Sequence, residues 1–125
     1  MTQDPDSTEY QQGVSALDSG DYRAAITHFQ IELAKSFDGH EVIYLLGRAH
    51  AGLDEHNIAI TCQKRAIELF PEFPEARYEL ACSLIATNKP TEAKIQLDVA
   101  LKQLLPGEEL AEKIQQQLDR IQTNE

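Results

Sequence analysis

Apolar residues recur every three or four positions along nearly the whole chain, and short polar breaks rich in Gly, Pro, Asp and Asn interrupt them. The breaks fall at Ser19-Gly20, Phe37-Asp38-Gly39, Leu53-Asp54, Pro71 to Pro74, Asn88-Lys89-Pro90 and Pro106-Gly107. A spacing of three and four is the period of a helix with one buried face, so the pattern predicts seven helices and no strand. They cover roughly 7–18, 22–36, 40–52, 56–69, 74–86, 90–104 and 108–122. The first opens with Asp6 and Glu9 in capping-box spacing, and Pro90 stands where a first turn tolerates a missing N–H. The seventh carries an apolar stripe of Leu110, Ile114, Leu118 and Ile121 among Glu, Gln, Lys, Asp and Arg.

Laid over this alternation is a repeat. Gly13, Gly47 and Ala81 fall 34 residues apart, and so do Ala25, Ala59 and Ala93. Small residues recurring in two registers are what stacked helix pairs need if the helices are to approach closely at the same place in every unit. On these residues the chain resembles the tetratricopeptide repeat (TPR) family, with repeats at 6–39, 40–73 and 74–107, residues 1–5 a frayed N-terminus, and 108–125 a closing helix. The family's small residue of the first helix falls on Gly13, Gly47 and Ala81, and its second-helix alanine on Ala25, Ala59 and Ala93. Its second-helix aromatic falls on Phe29, its late alanine on Ala66 and Ala100, its terminal proline on Pro71, and its usual turn on Gly20-Asp21-Tyr22. The resemblance implies an all-α fold, a right-handed α-solenoid of three helix-turn-helix repeats with a seventh, capping helix.

The chain departs from the family pattern at several positions. His56 and Pro90 replace the turn aromatic, Gln63 and Leu97 the second-helix aromatic, Glu32 the late alanine, and Phe37 and Leu105 the terminal proline. Glu9 and Gln12 occupy the register that Ile43 and Leu46 hold in repeat two. A polar pair there suits a terminal repeat with a solvated outer edge, so no further repeat is expected upstream.

The resemblance implies a concave trough lined by the first helix of each repeat. It assigns the lining to Tyr10, Val14 and Leu17, to Tyr44, Leu45 and Arg48, and to Tyr78, Glu79, Cys82 and Ile85. Tyr10, Tyr44 and Tyr78 share one register, with Glu41, Glu75 and Glu79 beside them. Aromatic rings with an acidic margin suit the apolar face of a helix or extended peptide whose other side is polar or basic. The alternative is that each tyrosine packs against the neighbouring helix and adds stability alone. Some members of the family hold acidic C-terminal tails of heat-shock chaperones in a basic clamp. The corresponding positions here are Tyr10, Val14, Leu45, Glu75 and Glu79, none of them basic, so no such tail is expected to bind.

Composition narrows the function without naming a partner. The 125 residues suit one domain, and 21 acidic against 11 basic side chains give a formal charge of −10, which repels phosphate backbones and disfavours nucleic acid. No stretch is long and apolar enough for membrane insertion, and the first residues lack a signal peptide's basic and apolar regions, so a cytoplasmic protein is expected. Cys62 and Cys82 stand apart without metal-ligand spacing, which predicts buried or partly buried thiols in place of a disulfide or zinc site. His40-Glu41 begins like a zinc-protease motif, but Tyr44 takes the place of the second histidine. His50 is expected to be packed, and Asp54-Glu55-His56 to form a solvated helix cap. With no catalytic constellation, no metal and no cofactor site, the expectation is a non-catalytic adaptor or assembly chaperone. Its partner would be a protein or peptide presenting a basic or amphipathic segment to the trough. The competing expectation is a structural scaffold, a homo-oligomer formed through the trough or the terminal helix.

Overall fold

The computed structural model describes residues 8–35 and 39–123. Among these residues are seven helices and no strand: α1 (Thr8–Asp18), α2 (Tyr22–Leu33), α3 (His40–Gly52), α4 (His56–Leu69), α5 (Pro74–Ala86), α6 (Pro90–Lys102) and α7 (Glu109–Thr123). The predicted elements are all present, with two helices shorter than expected. After α2, Ala34 and Lys35 tighten into a turn in which Lys35 N donates to Glu32 O at 3.0 Å. After α6, Gln103 N bonds back to Ala100 O at 3.0 Å, and its side-chain amide leaves the helix to donate to Pro71 O at 3.0 Å. Asp6 and Phe37 lie outside the described residues, and Glu9 itself accepts a hydrogen bond from His28 Nδ1 at 2.8 Å.

Each repeat closes its first helix in the same way. Gly20, Asp54 and Asn88 have φ of 83°, 60° and 62°, and the next residue donates back across the turn: Asp21 to Ala16 at 2.8 Å, Glu55 to His50 at 2.9 Å and Lys89 to Leu84 at 2.8 Å. This is a Schellman ending, which needs a left-handed residue just past the helix, and Gly, Asn and Asp are the types that tolerate it. The 34-residue beat therefore extends to the turns, through residue types that look unrelated in the sequence.

Within each repeat the small residue of the first helix lies under the second helix. A Cβ on Gly13 would come within 2.5 Å of the Phe29 ring, and one on Gly47 within 2.4 Å of Gln63 Nε2. In repeat three the same crossing is made by Ala81 and Leu97, both fully buried. The departures at Gln63 and Leu97 thus keep the crossing and change only its chemistry. Ala25, Ala59, Ala66, Ala93 and Ala100 are buried at the remaining close approaches. Glu32, in place of the late alanine of repeat one, is also buried.

Packing runs along the chain, each helix against the next, and the first helices also meet each other, α1 with α3 and α3 with α5. The second helices make no comparable direct contact among the described residues. First helices are therefore the closer-spaced layer and form the inner wall of a curved stack. One apolar cluster joins repeats one and two through Leu17, Phe29, Val42, Leu45 and Leu46. Another joins repeats two and three to the last helix through Ile60, Leu80, Leu84, Leu97, Ile114, Leu118 and Ile121. Three residues of the α7 stripe, Ile114, Leu118 and Ile121, close the stack together with Ala111, all four buried, while Leu110 at the head of the stripe is half-buried.

Candidate functional site

A cleft of about 520 Å³ opens on the inner wall between α3, α5 and α7, lined by Tyr44, Arg48, Glu75, Tyr78, Glu79, Glu108, Glu109, Leu110 and Lys113. Helical spacing explains the set: Tyr44 and Arg48 are one turn apart on α3, as are Glu75 and Glu79 on α5, so each pair shares a face. Four carboxylates face two cations. Arg48 Nε lies 3.9 Å from Glu79 Oε2, and the same guanidinium sits 5.9 Å from the centre of the Tyr44 ring. Arg48 is thereby shared between an aromatic face and a carboxylate.

Electrostatics of the cleft reflect its partial dryness. Burial pushes the Glu79 carboxyl above its usual range, although Arg48 and Lys113 pull the other way. Burial pushes the Tyr44 phenol up to about 12; Arg48 opposes this and Glu79 and Glu75 reinforce it. Tyr78 moves in the same direction, mainly through burial and then through Cys82 beside it. Tyr10 lies further along the wall. Its hydroxyl donates to Glu41 Oε1 of the next repeat at 2.8 Å, and burial followed by that hydrogen bond takes its pKa to about 12. Cys82 is raised to about 11, first by burial and then by Glu79, and Cys62 is raised by burial. Both thiols are free and held protonated, which makes them poor nucleophiles.

A second, smaller cleft of about 220 Å³ adjoins the first at Tyr44 and Glu75, and adds His40, Glu41, Phe70 and Phe73. His40 stacks on Phe70 with ring centres 4.8 Å apart. Phe73 stands edge-on to Phe70 at 5.9 Å and lies 4.9 Å from the Tyr44 ring.

The structure divides the residues assigned to the lining. Tyr44, Arg48, Glu75, Tyr78 and Glu79 come together around the larger cleft, and Glu41 lines the smaller. Tyr10, Val14, Cys82 and Ile85 are half-buried and line neither of these two clefts. Leu17 and Leu45, expected in the lining, are 7% and 8% exposed and belong to the core between repeats one and two. The helix turns them away from the trough. The sequence does not assign Phe70, at the end of α4, or Phe73, inside the Pro71 to Pro74 break, to the lining, and it offers His40 only as the start of a zinc-protease motif. Nor does it assign Glu108, Glu109, Leu110 and Lys113 there, since the way α7 packs onto the end of the stack is a tertiary matter. The one signal available was the Phe70-Pro71-Glu72-Phe73-Pro74 run itself, two rings held in a Pro-stiffened loop.

Outside the clefts, His28 joins α2 to α1 through Glu9, and the other two histidines stand at the α3–α4 turn. His50 Nδ1 donates to Glu55 Oε1 at 2.9 Å with the imidazole largely buried, as its packed assignment required. Asp54-Glu55-His56, expected as a solvated cap, is one in part: Asp54 is exposed and Glu55 takes the N-cap position, but His56 turns inward. Glu55 sits at the N-cap of α4 without a side-chain cap bond and bonds His50, while His56 reaches Ser83 Oγ on α5 at 3.3 Å and Asp54 at 3.6 Å. Among the described residues no group of three or more His, Cys, Asp or Glu is placed to hold a metal ion, and no helix is long and apolar enough to cross a membrane.

Comparison with known proteins gives the fold its lineage. No curated protein matches the sequence. Among solved structures, the Yersinia enterocolitica type III secretion chaperone SycD in complex with a peptide of the translocator YopD has a TM-score of 0.90 at 18% identity, over 98% of this chain and 96% of that one. The TPR2B domain of yeast Sti1 in complex with pHsp70 has a TM-score of 0.87 at 20% identity, over 94% and 95%. The first TPR of Spaghetti (RPAP3), bound to the HSP90 peptide SRMEEVD, has a TM-score of 0.84 at 18% identity, over 93% and 89%. At such identities the likeness carries the fold. Two tetratricopeptide repeat models match residues 10–56 and 40–73, a span that holds Gly13, Gly47, Ala25, Ala59, Phe29 and Pro71. With the 34-residue crossing and the repeated Schellman turns, these matches establish that the chain belongs to the tetratricopeptide repeat family.

Proposed function

We propose that the protein is a non-catalytic adaptor or assembly chaperone that holds a basic or amphipathic segment of a partner protein on its inner wall. The observation that carries this reading is the larger cleft, where the rings of Tyr44 and Tyr78 stand among Glu75, Glu79, Glu108 and Glu109 against only Arg48 and Lys113. Rings offer an apolar seat, and the carboxylate excess selects for positive charge beside it. Support also comes from structural neighbours described as chaperones or as domains bound to peptides. The groove assignment of Tyr10, Val14, Tyr44, Arg48, Tyr78, Glu79, Cys82 and Ile85, with Glu41 and Glu75 at the margin, remains part of this proposal. Burial of the α7 stripe favours the adaptor over a self-associating scaffold, since it withdraws the apolar face through which copies would adhere.

Affinity capture from native extract tests the reading, using the intact chain and a variant with Tyr10, Tyr44 and Tyr78 all changed to alanine. Partners retained by the first and lost by the second identify the groove's clients, and Tyr44→Ala alone weakens such a client by about 2 kcal/mol. Binding should also weaken with added salt, because exposed charges are screened beyond about 10 Å at 0.1 M. Capture unchanged by removal of all three rings rejects the groove. The peptide SRMEEVD supplies a contrary probe, because Glu75 and Glu79 repel its carboxylates; tight binding by calorimetry would overturn the charge argument.

A further inference from the structure

The smaller cleft has a different character from the larger one. Its walls are almost entirely aromatic: His40 and Phe70 stacked, Phe73 edge-on to both, and Tyr44 tilted across Phe73. At the rim are the exposed carboxylates of Glu41 and Glu75, and neither a lysine nor an arginine lines it. Arg48, on the far side of Tyr44, faces the larger cleft and Glu79. Phe70 is 46% exposed, an unusual degree for a phenylalanine in a stack of rings.

The wall is also held in place. Pro71 and Pro74 stiffen the α4–α5 loop, and the Pro71 carbonyl accepts from Arg77 Nη2 at 3.1 Å and from Gln103 Nε2 at 3.0 Å. Arg77 Nη1 donates to Gln96 Oε1 at 2.8 Å, tying the loop to α6. Loop ordering is therefore complete before a ligand arrives, which removes one cost of binding. A cleft of about 220 Å³ is smaller than the roughly 300–1,000 Å³ that drug-sized ligands occupy, and has room for one long side chain. Ring faces are negative at their centres and draw cations, most strongly where water is partly excluded, and two carboxylates at the mouth add to the attraction.

We propose that this cleft is a cation pocket that takes one lysine or arginine side chain of the bound segment, the stem lying along Phe70 and Phe73 and the charged head meeting Glu41 and Glu75. The proposal rests on the groove reading above and supplies its specificity: the larger cleft seats the segment, and the aromatic cleft selects a basic residue at one end of it.

The test uses the full chain, labelled with 15N and titrated with Nα-acetyl-lysine methylamide, Nα-acetyl-arginine methylamide and the neutral Nα-acetyl-norleucine methylamide. Both cationic probes should shift the amides of His40, Tyr44, Phe70 and Phe73, with norleucine about tenfold weaker. Phe70→Ser and the pair Glu41→Gln with Glu75→Gln should each weaken the cationic probes by about fivefold, with the helical circular dichroism unchanged because all three side chains are exposed. Equal shifts from norleucine, absence of shifts at these four residues, or unaltered affinity in both variants would overturn the pocket. Tyr44 lines both clefts, but the pocket variants keep all three tyrosines, so a failed pocket leaves the three-tyrosine capture result standing and the two failures are distinguishable.

Discussion

The crossing of α3 and α4 fixes the inner wall at Tyr44, and Gly47→Ala probes it directly. A methyl at 47 would lie 2.4 Å from Gln63 Nε2 and 3.0 Å from the Cys62 Cβ. Gln63 is 1% exposed; its Nε2 donates to the Tyr44 carbonyl at 3.0 Å, and its Oε1 has no hydrogen-bond partner among the described residues. The substitution gains about 1 kcal/mol of helix propensity. Against this stand about 1–3 kcal/mol for overpacking and about 1–3 kcal/mol for stranding the displaced amide donor. The expected net loss is about 1–5 kcal/mol, centred near 3. Repeat three shows the remedy, because Ala81 faces Leu97 at the same crossing. Gln63→Leu alone should be close to neutral, since it removes an unsatisfied buried oxygen together with one hydrogen bond. Gly47→Ala with Gln63→Leu should recover about 2 kcal/mol relative to the sum of the single changes. Urea unfolding followed by circular dichroism at 222 nm measures all four species. Gly47→Ala at wild-type stability, or a double variant no better than the sum of its parts, would refute the account of the crossing.

Three further outcomes are expected. Because burial raises the Glu79 carboxyl above its ordinary 4.5, the folded state holds the proton more tightly than the unfolded chain does, so stability falls as pH rises through that range. Glu79→Gln should therefore melt higher than wild type at pH 7 and converge with it below the ordinary value, and a lower melting temperature at pH 7 would show that the Arg48 pair outweighs desolvation. Tyr10 and Tyr44 titrate near 12 against 10 in an unfolded chain, so their neutral phenols favour the fold up to about pH 10 and that contribution is lost as pH climbs towards 12. Absorbance at 295 nm should show Tyr10, Tyr44 and Tyr78 all ionising above the ordinary value, with one late step lost in Tyr10→Phe. Ile114, fully buried on the packed face of α7, should cost about 2–5 kcal/mol when changed to alanine; a change within 0.5 kcal/mol would mean that the helix is not docked in solution.

The sequence alone determined the helices, their order and the repeat. A helical period, Pro and Gly punctuation and small residues 34 apart are local or strictly periodic signals, and each repeat is one unit copied along a line. Part of the inner wall was legible through the family resemblance, which assigns Tyr44, Arg48, Tyr78 and Glu79 to the lining with Glu75 at its margin; register alone does not, since Leu45 shares the register of Glu79 and is buried. Other features were decided only by the tertiary structure. Leu17 and Leu45 turn into the core because the rotation of a helix against its neighbours, which no single repeat specifies, sets which of two adjacent positions faces the trough. Phe70 and Phe73 join His40 and Tyr44 because the Pro-bounded loop folds back over α3. Glu108, Glu109, Leu110 and Lys113 enter the cleft because α7 packs onto the open end of repeat three. The 34-residue repeat carries no information about Phe70 and Phe73 or about which face of a terminal helix meets the stack, and it is there that the two clefts acquire rings and charges beyond those of the first helices.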